Sequence, residues 1–178
     1  NHSLIGALAF AGALGLVAPH VQAQAFDPSN QDQNSYVQGN LQFLIYHEVG
    51  HLVLDQLLNV DQRSQRFESE QAADDIATWL MLPDPDEPDQ STEIMSAIMG
   101  WLQSALLQQD NGPAQNLHYP EDQDRAARIA CLTYASDTNA YADLARIFAQ
   151  EFSSVNCPGE LHALQATFEN WFGDALVQ

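Results

Sequence analysis

Lysine is absent from this chain, and five arginines are its only strongly basic side chains. Against them stand 24 aspartates and glutamates, for a formal net charge of −19. A surface of that sign repels phosphate backbones and anionic headgroups, so nucleic-acid binding and basic-patch membrane association are excluded. Salty surroundings would relieve the self-repulsion by screening. Cysteine is nearly absent too, with Cys131 and Cys157 alone. They do not form the C-x-x-C of a zinc site, so no second metal centre is expected from them. In an oxidising compartment the pair is a candidate disulfide, and in a reducing one it would be two buried thiols. Alternating strand patterns and internal repeats are also missing.

Long apolar runs are confined to the start. Residues 1–25, NHSLIGALAFAGALGLVAPHVQAQA, read as a secretory leader. Leu4 to Val17 form its apolar region, and Val21-Gln22-Ala23 and Ala23-Gln24-Ala25 both offer small-residue cleavage sites. The run is short for a membrane span and Pro19 follows it, so cleavage is expected rather than anchorage. The basic segment that opens such leaders is missing, so the leader is expected to begin upstream of Asn1. Every Asp, Glu and Arg lies beyond residue 25. The expected location is periplasmic or secreted, with no membrane attachment after cleavage.

Residues 26–35 read as a polar linker and residues 36–178 as one domain, long enough for a real core. Helical periodicity predicts helices over about Tyr36–Leu58, Phe67–Leu82, Thr92–Gln109, Glu121–Tyr134, Ala140–Phe152 and Gly159–Leu176. Pro83, Pro85 and Pro88 punctuate the acidic loop between the second and third. The expected fold class is mainly α: a compact, single-domain, helical, zincin-like fold with little or no β-sheet.

The chemistry gathers in the first two helices. His47-Glu48-Val49-Gly50-His51 is an H-E-x-x-H motif, and residues four apart on a helix project from one face. His47 and His51 can thus offer two imidazoles to one cation. Imidazole is a favoured ligand of Zn²⁺, and a catalytic zinc keeps three protein ligands and an open position. Glu48 lies one step round the helix, placed to act as a general base without ligating. Glu70 is the expected third ligand, because Asp74 follows one turn later and can accept the spare ring N–H of a ligand histidine. Glu68 and Asp75 are rival ligands within the same acidic stretch. Phe43, Leu44, Ile45, Tyr46, Val49, Leu52, Val53, Leu54, Leu57 and Leu58 surround the motif, so this helix is expected to be buried all round. Two histidines and a glutamate buried without partners would be costly, and a metal removes that cost. Gly50 would weaken a helix interior, so a close approach by a neighbouring helix or the metal site is expected there.

Together, H-E-x-x-H and Glu70-x-x-x-Asp74 resemble the gluzincin zinc peptidases. The segments NLQFLIYHEVGHLVLDQL, ESEQAADDIA, DRAARIACLTYASD and the stretch from CPGE to Trp171 resemble a bacterial metallopeptidase family known as domain of unknown function 4344. The likeness runs from about Tyr36 to Leu176 and implies a reaction class without a substrate. His118, with Asp122 and Arg125 after it, looks like that family's H…D…R mark, which makes His118 a candidate catalytic assistant beside Arg125 and Tyr134. The alternative for Asp122 and Arg125 is a structural ion pair on their own helix. Many gluzincins carry a sheet before the H-E-x-x-H helix whose edge strand aligns the substrate, and this chain has almost no room for one.

The expected function is an exported zinc hydrolase cleaving peptide or protein substrates, with His47, His51 and Glu70 on the metal and Glu48 as base. The alternative is a non-catalytic zinc-binding interaction domain, which has no need of Glu48.

Overall fold

The computed structural model describes residues 29–57, 66–83, 91–111 and 122–176. Residues 1–25, read as a leader, and His118 lie outside the described residues. Among the described residues seven α-helices follow one another: α1 (Gln31–Leu52), α2 (Arg66–Met81), α3 (Ser91–Asn111), α4 (Asp122–Ser136), α5 (Ala142–Ile147), α6 (Ala149–Phe152) and α7 (Cys157–Leu176). A wider π turn, Val53–Leu57, continues α1. Among the described residues there is no strand, in line with the mainly α expectation. No helix among them is long and apolar enough to cross a membrane.

The first helix starts earlier than its periodicity indicates. Residues 31–35 had read as linker, yet they are the first turn of α1. The cause is Asn30, whose side-chain oxygen accepts from the backbone N–H groups of Asp32 at 3.0 Å and Gln33 at 3.2 Å. Such a cap satisfies donors that a helix start otherwise leaves orphaned. The stretch read as one helix over residues 140–152 is broken at Phe148, whose backbone leaves the helical region at φ −101° and ψ 32°. Its ring is buried and stacks on Phe152.

The helix α4 is the centre of the molecule. Ala126, Ile129, Ala130, Leu132 and Thr133 on it are fully buried. One core joins Phe43, Ala77, Met81, Ile94, Ile98, Ala126, Ile129, Leu144 and Phe148. A second joins Leu54, Ala73, Ile76 and Leu132 to Leu161, Leu164 and Phe168 of α7. The sulfurs of Cys131 and Cys157 are bonded, tying α4 to the start of α7 at a Cα separation of 5.1 Å. Losing that crosslink should cost about 2–4 kcal/mol, because the unfolded chain regains the loop entropy it had been denied. Denaturant melts of the oxidised protein and of a Cys131→Ala/Cys157→Ala variant measure the difference; equal midpoints would contradict it.

Small residues let the helices come close. At Gly50 an added Cβ would lie 2.9 Å from the Cα of Ala73 and 3.0 Å from its carbonyl oxygen. The glycine therefore serves the approach of α2, as its place in a helix interior had suggested. Gly50→Ala forces the two backbones apart and should cost about 1–3 kcal/mol, as overpacking does. Thermal unfolding checks this, and an unchanged midpoint would refute the close approach.

One expectation is corrected. The first helix is not buried all round. Gly39, Phe43, His47 and Gly50 are its buried residues. Leu41, Leu44, Ile45 and Leu52 are 55, 49, 52 and 62 % exposed. The reason is tertiary. Among the described elements α1 packs chiefly on α2 and α3, and two neighbours on adjacent sides leave the remaining arc uncovered.

Candidate metal centre

The close contact at Gly50 and Ala73 sets α1 beside α2 with His47 and His51 facing Glu70. The His47 Nε2 atom stands 3.3 Å from Glu70 Oε2. His51 Nε2 is 3.6 Å from Glu70 Oε1 and 3.1 Å from His47 Nε2. Each of the three residues thus offers one ligand atom to a common point, all within 4.8 Å of one another. The His47 side chain is 8 % exposed, that of Glu70 13 % and that of His51 21 %, so the cluster opens to solvent on the His51 side.

Behind His47 stands Asp74, 2 % exposed. Its Oδ1 is 2.8 Å from His47 Nδ1. Asp74 also receives two bonds from Arg125, Nε to Oδ2 and Nη2 to Oδ1, each at 2.7 Å. A carboxylate holding an arginine fork is an acceptor, so the His47 Nδ1 is the donor of the pair. The lone pair of that ring is then on Nε2, aimed at Glu70 and His51.

That arrangement tests whether a metal fits. The His47 Nε2 lone pair faces the Glu70 carboxylate with His51 Nε2 beside both, an arrangement that a cation or a proton among them relieves. A tetrahedral centre with bonds of about 2.0–2.1 Å separates its ligand atoms by about 3.3–3.4 Å. The two imidazole nitrogens, 3.1 Å apart, lie near that separation, and Glu70 brings one oxygen to each: Oε2 to 3.3 Å from His47 Nε2 and Oε1 to 3.6 Å from His51 Nε2. Two imidazoles and a carboxylate are also a donor set of catalytic zinc. The residues present fit a divalent ion.

The rivals for the third position lie otherwise. The Asp75 carboxylate is held by Arg128, with Nε to Oδ1 at 2.9 Å and Nη2 to Oδ2 at 3.0 Å, and Arg128 also donates to Glu160. Burial lowers the basicity of the Arg128 guanidinium, but its bonds to Asp75 and Glu160 outweigh this and hold it above the usual arginine range. Burial pushes the Asp75 carboxyl up, against the pull of Arg128. The side chain of Glu68 lies outside the described residues.

Glu48 is exposed, on the uncovered side of α1 and outside the His47–His51–Glu70 cluster. Leu44 and Leu52, one turn to either side of it, are exposed as well. A carboxylate there can meet an incoming molecule without competing for the ion.

The secondary candidates separate. Arg125 places its fork on Asp74, and its guanidinium lies 3.6 Å from the centre of the Trp101 ring. The Asp122 carboxylate accepts from the Ser104 hydroxyl. Tyr134 packs against the core beside Phe152, at a ring distance of 5.8 Å. Reading the sequence alone passed over Trp101, and over Arg125 as the partner of Asp74. The one available signal was the matched pair of spacings: adjacent Asp74 and Asp75 on α2 against Arg125 and Arg128 one turn apart on α4.

No curated protein and no solved structure matches this chain. A family profile does match, over residues 17–172. The match begins at Val17, so it takes in residues 17–25 of the stretch read as a leader as well as the two cysteines and every residue of the cluster. By that match the chain belongs to the family of domain of unknown function 4344, described as "putative metallopeptidase".

Proposed function

We propose that this protein is a zinc-dependent peptidase in which His47, His51 and Glu70 hold the ion and Glu48 moves the proton. One observation carries the reading. Two imidazole nitrogens and a carboxylate converge in a largely buried cluster, while Glu48, between the two histidines in the motif, stays outside it and exposed. When bound, the ion polarises a carbonyl oxygen and acidifies water. The chain's own groups do the rest. His47 and His51 present their Nε2 atoms from one helix face, with His47 held by Asp74. Glu48 takes a proton from water as the new C–O bond forms at the scissile carbonyl. It then delivers that proton to the amine nitrogen as the C–N bond breaks. Atoms balance, and Glu48 ends as it began.

Export to the periplasm or the medium is part of the proposal. Two features support it: the leader-like residues 1–25, and a disulfide of a kind that persists in oxidising compartments. The substrates are peptides or proteins.

The test is direct. Gently purified protein should carry one zinc per chain by elemental analysis and should cut members of a broad peptide library. His47→Ala should lose both metal and cleavage. A metal-free wild type that cleaves peptides would defeat the proposal.

A further inference from the structure

We propose that Arg125 is a positioning residue for the metal centre, acting on His47 through Asp74; this rests on the metal-site reading above. Asp74 receives three donated bonds: His47 Nδ1–H and Arg125 Nη2–H on Oδ1, and Arg125 Nε–H on Oδ2. A carboxylate held only by His47 would be free to turn, since its last torsion is broad. The planar arginine fork fixes the plane of the carboxylate, and with it the direction from which Oδ1 meets the imidazole.

Arg125 is itself held. Its side chain is 10 % exposed, and its guanidinium stacks on Trp101 at 3.6 Å. Trp101 packs edge-on against Phe43, with ring centres 6.2 Å apart. Phe43 precedes His47 by one turn of α1. The contacts therefore close a ring through four helices: Phe43 on α1, Trp101 on α3, Arg125 on α4, Asp74 on α2, and back to His47 on α1. With both arms of its fork on Asp74, Arg125 serves the histidine rather than the substrate. It makes Asp74 a pure acceptor, which leaves the hydrogen on His47 Nδ1 and the lone pair on Nε2.

Arg128 supplies the control. It forms the same two-pronged pair with the neighbouring Asp75, also between α4 and α2, and donates to Glu160 as well. A structural role is common to both arginines; only Arg125 reaches His47 through its partner. Arg125 also borders a cleft of about 530 Å³ lined by Asp74, Arg128, Glu151 and Glu160. Shortening it to alanine therefore opens its place to a small cation from solvent.

The experiment uses the full chain as wild type, Arg125→Ala, Arg125→Lys and Arg128→Ala. Zinc affinity is measured by competition with a chelating indicator. The Nδ1–H of His47 is followed by ¹⁵N NMR of the metal-free protein. Arg125→Ala should bind zinc about tenfold or more weakly and lose the protected Nδ1–H signal. Guanidinium ion, added far below denaturing concentrations, should restore both. Arg128→Ala should melt earlier yet bind zinc as wild type does. If Arg125→Ala does not fold, Arg125→Lys decides, because lysine keeps the charge without the fork and should still weaken zinc binding. A wild type without zinc affinity overturns the metal-site reading. An unchanged Nδ1–H in Arg125→Ala, or in Arg125→Lys where alanine does not fold, overturns the positioning role. Equal losses of zinc affinity in Arg125→Ala and Arg128→Ala overturn it too.

Discussion

Glu48→Gln should reduce peptide turnover about a hundred- to ten-thousandfold, the usual contribution of a general acid–base group. Zinc content and melting temperature should stay at wild-type levels. The two halves of the expectation have separate causes. Glutamine is nearly isosteric with glutamate, and the side chain is on the exposed side of α1, so packing is indifferent to the change. The three converging ligand atoms belong to His47, His51 and Glu70, so the ion is indifferent as well. Only proton transfer is lost, because an amide can neither accept a proton from water nor hand one to the departing amine. The measurement is paired: metal content and library cleavage on both proteins. Cleavage undiminished in Glu48→Gln would defeat the mechanism. A wild type that holds zinc, cleaves nothing and is unaltered by the substitution would instead favour the non-catalytic zinc-binding domain.

The second large effect is on metal binding, and it is graded by distance from the ion. Glu70→Gln removes the carboxylate from the three residues proposed to hold the ion, so zinc should be lost on dialysis. Asp74→Asn should weaken affinity by about ten- to a hundredfold, as loss of a histidine's supporting partner does. The asparagine case has a specific cause. Three N–H groups now point at the Asp74 carboxylate, from His47 and from both arms of the Arg125 fork. An amide offers one oxygen and one NH₂, so at least one donor would face another donor. Competition titrations rank the variants. If Glu70→Gln retains zinc as tightly as wild type, another acid of the same stretch is the ligand.

The helices were legible because their cause is local. Apolar residues recur at three- and four-residue intervals along α3, α4 and α7, and Ile94, Ile98, Ile129, Leu161, Leu164 and Phe168 do lie inward. The start of α1 was misread for an equally local reason: the cap at Asn30 belongs to a stretch that composition alone describes as linker. Periodicity failed for burial on α1. A helix apolar on every side carries no direction, so its sequence cannot state which side its neighbours will cover. Leu106, at helical spacing from the apolar residues of α3, is likewise 63 % exposed.

The pairing of His47 with His51 was settled before any tertiary contact, since a four-residue step on a helix sets two side chains on one face whatever surrounds it. Sequence spacing also determined that Glu48 points elsewhere, and that an acid one turn before Asp74 was the best candidate third ligand. Tertiary structure decided which acid stands opposite the histidines. The Ala73 backbone rests against Gly50, and that contact sets the position of α2 so that Glu70 faces His47 while Asp75 is taken by Arg128. It decided the partner of Arg125 as well, for Asp74 lies 51 residues away and no local rule connects them. Spacing along one helix is a matter of fixed backbone geometry. Contact between helices depends on how close two backbones can come, and the side chains at the crossing settle that only once the chain has folded.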